Sequence, residues 1–144
     1  MEDQPSTPVL MFVAHRDVES RVMAALAEAG LDDITSAQSR LMQRLDPAGM
    51  RLTDLAEQAR VTKQTAGALV DQLERAGYVM RRPDPSDARA RLVTLSERGL
   101  AACSAAAAEV ARVEQEWRRH LGDTAYRGLR NALIALRAVT DPYR

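Results

Sequence analysis

The chain has 144 residues, 46% of them apolar, and carries 20 basic and 20 acidic side chains for a formal net charge of zero. That apolar share sustains a packed core and excludes intrinsic disorder, and a single cysteine excludes an intrachain disulfide. Aromatics make up only 3%, so the apolar content is mostly Ala, Leu and Val, a composition of packed helices rather than of a sandwich or barrel.

No apolar run approaches the ~18 residues that span a bilayer. The start, with Glu2 and Asp3, lacks the basic and apolar regions of a secretory signal. A soluble, cytoplasmic protein with no membrane partner is expected. Zero net charge argues against a nucleic-acid partner only on average. Residues 1–50 carry four arginines against eight acids, residues 51–100 nine bases against seven acids, and residues 101–144 seven against five. The positive excess thus lies past residue 50, with Arg81, Arg82, Arg89 and Arg91 close together. All bases but Lys63 are arginine, which suits groove and phosphate contacts.

Pro5 and Pro8 predict a disordered start. A first helix is expected from about Val9 to Ala29, where Val18, Val22, Ala25, Leu26 and Ala29 recur at three- and four-residue steps, with Gly30 as its stop. A second follows Thr35, which has capping-box spacing to Gln38; Leu41 and Leu45 face inward, and Pro47 with Gly49 ends it. A third follows Thr53 as N-cap, with Leu55, Ala56 and Ala59 apolar. Arg60-Val61 then form a short turn; Arg60 stands where such turns often hold Gly, so it takes an unusual backbone angle or the turn differs. A fourth helix starts at Thr62, turns Ala66, Leu69, Val70, Leu73 and Ala76 inward, and closes at Gly77.

Next the period changes from 3.6 to 2. Tyr78 to Arg82 reads as one strand, Pro83 to Asp87 as turn, and Arg91 to Leu95 as a second strand, together an antiparallel hairpin with a charged tip. Ser96 caps a long helix with Leu100, Cys103, Ala107, Val110, Val113 and Trp117 along one side. Gly122-Asp123 breaks it, and a last helix carries Tyr126, Leu129, Leu133, Leu136 and Val139.

Two short helices joined by a tight turn hold a fixed angle and present the polar N-terminal face of the second. A helix fits the major groove of B-DNA, whose base edges carry a distinguishable donor and acceptor pattern. Here that face offers Thr62, Lys63, Gln64 and Thr65. Gln64 can pair bidentately with adenine, Lys63 can reach guanine or phosphate, and the threonine hydroxyls can bind phosphate, as can the free N–H groups of the helix start. The hairpin tip carries Asp87 and Arg89 on one side of an extended chain. A cation on a thin loop suits the narrow minor groove, and an adjacent acid can hold its guanidinium. Arg81, Arg82 and Arg91 flank it as phosphate contacts.

The stretch Leu52 to Gly99 resembles the MarR family of bacterial transcriptional regulators. Val61 to Thr65, Leu73 to Val79 and Asp84 to Gly99 carry the resemblance, above all the Asp-x-Arg of the wing followed by a strand and Leu-Ser-x-x-Gly. It implies a mainly helical fold with a small β-hairpin wing: a winged helix-turn-helix at residues 34–98, with dimerisation helices at residues 1–33 and 99–144. It further implies a homodimer on a near-palindromic stretch of double-stranded DNA, most often as a repressor, and release by a small effector that is often phenolic. On that analogy Asp87 and Arg89 are the wing pair and Thr62 to Thr65 begin the recognition helix. An effector lies between the winged unit and the dimer helices, where His15, Arg16 and Trp117 are candidate lining residues. Ala68 and Ala88 stand where many relatives carry Arg, which keeps an alternative open: a winged-helix protein–protein interaction module with weak or lost DNA binding.

Cys103 sits on an apolar helix side and reads as a buried structural thiol rather than a redox sensor. His15 and His120 lack partners at ligand spacing, so neither a metal site nor a cofactor is expected. The carboxylates are scattered over helix faces, and no catalytic constellation is present.

Overall fold

The computed structural model describes residues 4–143, so Glu2 and Asp3 lie outside the described part. Six helices and one hairpin follow in the order α1 (Thr7–Glu28), α2 (Ser36–Met42), α3 (Leu52–Gln58), α4 (Lys63–Arg75), β1 (Val79–Asp84), β2 (Asp87–Leu95), α5 (Glu97–Leu121) and α6 (Asp123–Thr140). The mainly helical, winged expectation is met. No described helix is long and apolar enough to cross a membrane.

Local chemistry explains most boundaries. Helix α1 begins two residues earlier than the periodicity suggests, because Ser6 adopts the extended N-cap geometry and Pro8 falls in the first turn. A proline there gives up an N–H that has no helical partner anyway. Thr35 caps α2 through the reciprocal pattern expected: its hydroxyl accepts the Gln38 N–H at 3.2 Å while the Gln38 side chain accepts the Thr35 N–H at 3.1 Å. Helix α3 departs from expectation. Its N-cap is Arg51, and Thr53 lies inside the first turn. The cause is Met50, whose backbone exchanges two hydrogen bonds with Val93 at 3.0 and 2.7 Å and so fixes where the extended chain ends.

The hairpin is longer than expected. Residues Val79 to Pro83 pair with Leu95 to Arg91 in antiparallel register, and the turn shrinks to Pro85-Ser86. Pro83 is tolerated because a two-stranded sheet has only edges. Asp84 closes the turn, accepting the Ser86 N–H at 2.9 Å and its hydroxyl at 2.7 Å.

One apolar core joins the winged unit to the long helices. Leu41, Leu55, Val70, Leu73, Tyr78, Val79 and Val93 fill its centre, and Val22, Leu26 and Ala102 extend it into α1 and α5. The start of α5 lies so close to the hairpin that a Cβ on Gly99 would stand 2.1 Å from the Tyr78 carbonyl oxygen. Ser96 adds a backbone N–H bond of 3.0 Å to that same carbonyl.

The expected stripe of α5 is only partly covered: Val113 is buried and Cys103 packs against the core. Ala102, Glu109 and Val113 face α1, whereas Leu100 and Val110 are exposed. A buried glutamate is tolerated because Arg21 of α1 donates to Glu109 at 3.1 Å and bridges on to Glu116. Helix α6 buries only Tyr126. Its apolar side chains Leu129, Leu133, Ile134 and Leu136 remain open, as do Val9 to Val13 at the start of α1, with Phe12 60% exposed.

Candidate nucleic-acid interface

Helices α3 and α4 meet through Ala59, Arg60 and Val61, and Arg60 carries the backbone angle that the sequence put in question, φ +58°. It is the one non-glycine residue with positive φ among the described residues. Ala66, Val70 and Leu73 of α4 are buried, so Lys63, Gln64, Thr65 and Ala68 are turned outward.

The two threonines at the start of α4 are not equivalent. Thr62 is the N-cap; its hydroxyl oxygen accepts the Thr65 N–H at 3.0 Å and its hydroxyl proton goes to Thr65 Oγ1 at 2.9 Å. A hydroxyl has one proton to give, so Thr62 is committed to the cap and Thr65 keeps its own proton for an outside acceptor. The N–H groups of Lys63 and Gln64 precede the first intrahelical bond and remain open, at the positive end of the helix dipole.

The wing stands beside this helix. Its register slips between Pro83 and Asp84: Pro83 pairs with Arg91 and Asp84 with Asp87, so Ala88, Arg89 and Ala90 bulge from the second strand. Bulges re-aim side chains, and Arg89 is exposed here. Asp87 does not hold the Arg89 guanidinium as expected. Its Oδ1 accepts the Arg89 backbone N–H at 3.0 Å, and its Oδ2 lies 3.8 Å from Arg51. The amide two residues on is the nearer donor for an aspartate in a turn. Asp87 therefore shapes the bulge, and the guanidinium is left to the outside.

The flanking arginines also separate. Arg82 and Arg91 are exposed and form no ion pair among the described residues. Arg81 instead reaches back to α4, 2.8 Å from both Asp71 and Glu74. It is a positioning residue that ties wing to helix and neutralises two carboxylates there, not an open phosphate contact. Its alternation with Val79 was the available sequence signal, because it places Arg81 on the inner strand face. Arg51 went unnoticed in the sequence: it donates to the buried Asp84 at 2.8 Å and anchors the base of the wing.

Between α1, α2 and α5 lies a cavity of about 650 Å³. His15 lines it, as do Ser39, Met42 and Cys103. Arg16 and Trp117 do not. The Arg16 guanidinium lies over the Phe12 ring, and Trp117 lines a groove of about 250 Å³ between α5 and α6. Burial pushes the Cys103 thiol up from its ordinary pKa, the reverse of what an activated thiol needs. Among the described residues no group of three or more metal-ligating side chains converges.

Comparison with known proteins agrees with this arrangement. The family model described as "MarR family" matches residues 34–90. The transcriptional activatory protein BadR of Rhodopseudomonas palustris is 41% identical over 51 residues, which are 35% of this chain and 29% of that protein. The matched stretch thus spans under a third of that relative's length. The reduced form of MarR from E. coli superposes with a TM-score of 0.76 at 22% identity, over 94% of this chain and 98% of that one. A Mycobacterium tuberculosis MarR family protein in complex with salicylic acid superposes with a TM-score of 0.67 at 26% identity, over 94% and 99%. Residues 34–90 match that family's model, and the superpositions show that the chain shares the fold of these proteins.

Proposed function

From the premise that residues 34–90 are a MarR-family domain, we propose that the chain is a homodimeric, sequence-specific transcriptional regulator. Each protomer lays α4 in a major groove and its wing in the adjacent minor groove. The observation that carries this reading is the open N-terminal face of α4 standing beside a wing whose bulge presents Arg89 with no internal ion pair among the described residues. Lys63, Gln64 and Thr65 read the major groove, Arg89 enters the minor groove, and Arg82 and Arg91 bind phosphate.

Residues 1–33 and 99–144 supply the dimer contact. The support is the apolar surface left open on α6 and on the start of α1, since each such side chain contributes ~1.5–3 kcal/mol once covered. Two-fold symmetry then calls for a near-palindromic operator with half-sites about 10 bp apart. Such a dimer acts in the cytoplasm and represses by occupying the promoter. The cavity is its effector site; support comes from its place between the winged unit and the helices α1 and α5.

The test is operator affinity by fluorescence anisotropy on duplexes from the region upstream of the gene. Arg89→Ala weakens binding by about 1–3 kcal/mol while sedimentation still shows a dimer. Unchanged affinity at physiological salt removes the role given to the wing. The exposed alanines Ala68 and Ala88 favour the second reading, a protein–protein module that has lost DNA binding. Absence of any shift at micromolar protein supports it.

A further inference from the structure

The cavity has a chemistry of its own. At about 650 Å³ it has the size of a small-molecule site. Val22, Leu26, Met42, Leu95 and Ala106 make its walls apolar. Among the described residues no lysine or arginine lines it. Its two ionisable groups other than Cys103 are His15 and Glu19, which lie 3.7 Å apart, with His15 largely exposed to solvent. Glu19 is held by Arg40 at 2.6 Å, and Arg40 is not part of the lining. An anion inside would therefore lose its water without gaining a cation, which is costly.

Of the polar side chains that line the cavity, the buried one has nothing to bind. Ser39 is only 7% exposed, and its hydroxyl makes no hydrogen bond to another described residue. No fully enclosed side-chain polar atom among the described residues lacks a partner. The Ser39 hydroxyl therefore keeps access to the cavity it lines, where it can both donate and accept one hydrogen bond.

We propose that this cavity selects an uncharged, largely apolar small molecule with one carbonyl or hydroxyl oxygen placed on Ser39, and disfavours the corresponding carboxylate. Burial of the apolar body supplies most of the binding, and Ser39 fixes its orientation. The proposal rests on the reading of the cavity as effector site only for its biological consequence.

The single cysteine of the chain lines the cavity and gives a direct readout. The rate of Cys103 alkylation by N-ethylmaleimide is followed by mass spectrometry with methyl salicylate or with salicylate, which share a ring and a hydroxyl and differ in charge. The ester slows alkylation by about fivefold or more when well above its Kd, and salicylate at equal concentration leaves the rate nearly unchanged. Ser39→Ala raises the ester concentration needed by about two- to tenfold. Ala106→Phe, which fills the cavity, abolishes protection in a protein with unchanged circular dichroism. Equal or better protection by salicylate overturns the proposal, as does absence of protection by either compound, or a Ser39→Ala variant as sensitive to the ester as wild type. Operator affinity measured in the same samples separates the two readings: protection without operator release removes the effector role and leaves the selectivity intact.

Discussion

The Arg81 guanidinium donates to Asp71 Oδ1 at 2.8 Å, bridging the first strand of the hairpin to α4. The same guanidinium reaches Glu74 at 2.8 Å, so two exposed carboxylates of α4 are neutralised from within the protein. Arg81→Ala leaves both uncompensated and frees the wing. It is expected to weaken operator binding by about 1–2 kcal/mol, although Arg81 itself touches no DNA. Asp71→Asn with Glu74→Gln in the Arg81→Ala background should restore about half of that loss in an anisotropy titration. If Arg81 were a phosphate contact, the added substitutions would restore nothing.

The turn between α3 and α4 holds strain that a single substitution relieves. Arg60 sits at φ +58°, where a side chain costs about 1–2 kcal/mol. Arg60→Gly removes that cost while making the unfolded chain freer by about 0.4–1 kcal/mol. The expected net effect is a gain of roughly 0.5–1 kcal/mol, read as a higher urea midpoint with an unchanged slope. A drop in the midpoint contradicts the strain argument.

Acid should loosen the joints around the wing and around Tyr78. Donation from the Ser86 N–H and hydroxyl, with Arg51 beside it, holds the Asp84 carboxyl below its usual range. The Tyr78 hydroxyl, then Arg98, does the same for Asp33. A carboxyl depressed in the folded state stabilises that state above the unfolded pKa, about 3.9. The contribution is lost as pH falls through the lower folded value. Stability should therefore be level from about pH 7 to 5 and fall below about pH 4, with Asp84→Asn showing a shallower fall. Urea midpoints across that range check it, and a midpoint that rises on acidification contradicts it.

What could be read from the sequence was what depends on neighbours along the chain. Helical periodicity located α1 to α6, and of the caps read from the sequence Thr35 and Ser96 act as expected while Thr53 does not. The unusual backbone of Arg60 was also visible, because a tight turn without glycine leaves few options. Distant partners were not. Arg51 and Asp84 are 33 residues apart, and nothing local marks them as a pair. The face of α5 that α1 covers depends on Arg21 meeting Glu109 across 88 residues, a pairing that the apolar spacing along α5 does not register. Asp87 was assigned to the Arg89 side chain because spacing puts them together, but spacing does not register that a backbone amide competes for the same carboxylate. The cavity, built from three separate helices, has no signature in any one of them.

In the proposed function the open face of α4 and the bulged wing grip a DNA duplex. The most direct test is the salt dependence of binding to the duplex upstream of the gene. A protein that neutralises Z phosphates gives log K falling against log salt with slope about −0.9Z. With Arg82, Arg89, Arg91 and the helix start of each protomer engaged, the slope should be steep, on the order of −5 to −8 per dimer. Arg89→Ala should lower its magnitude. A slope near zero, or no complex at micromolar protein in low salt, would contradict DNA binding as the function of this fold.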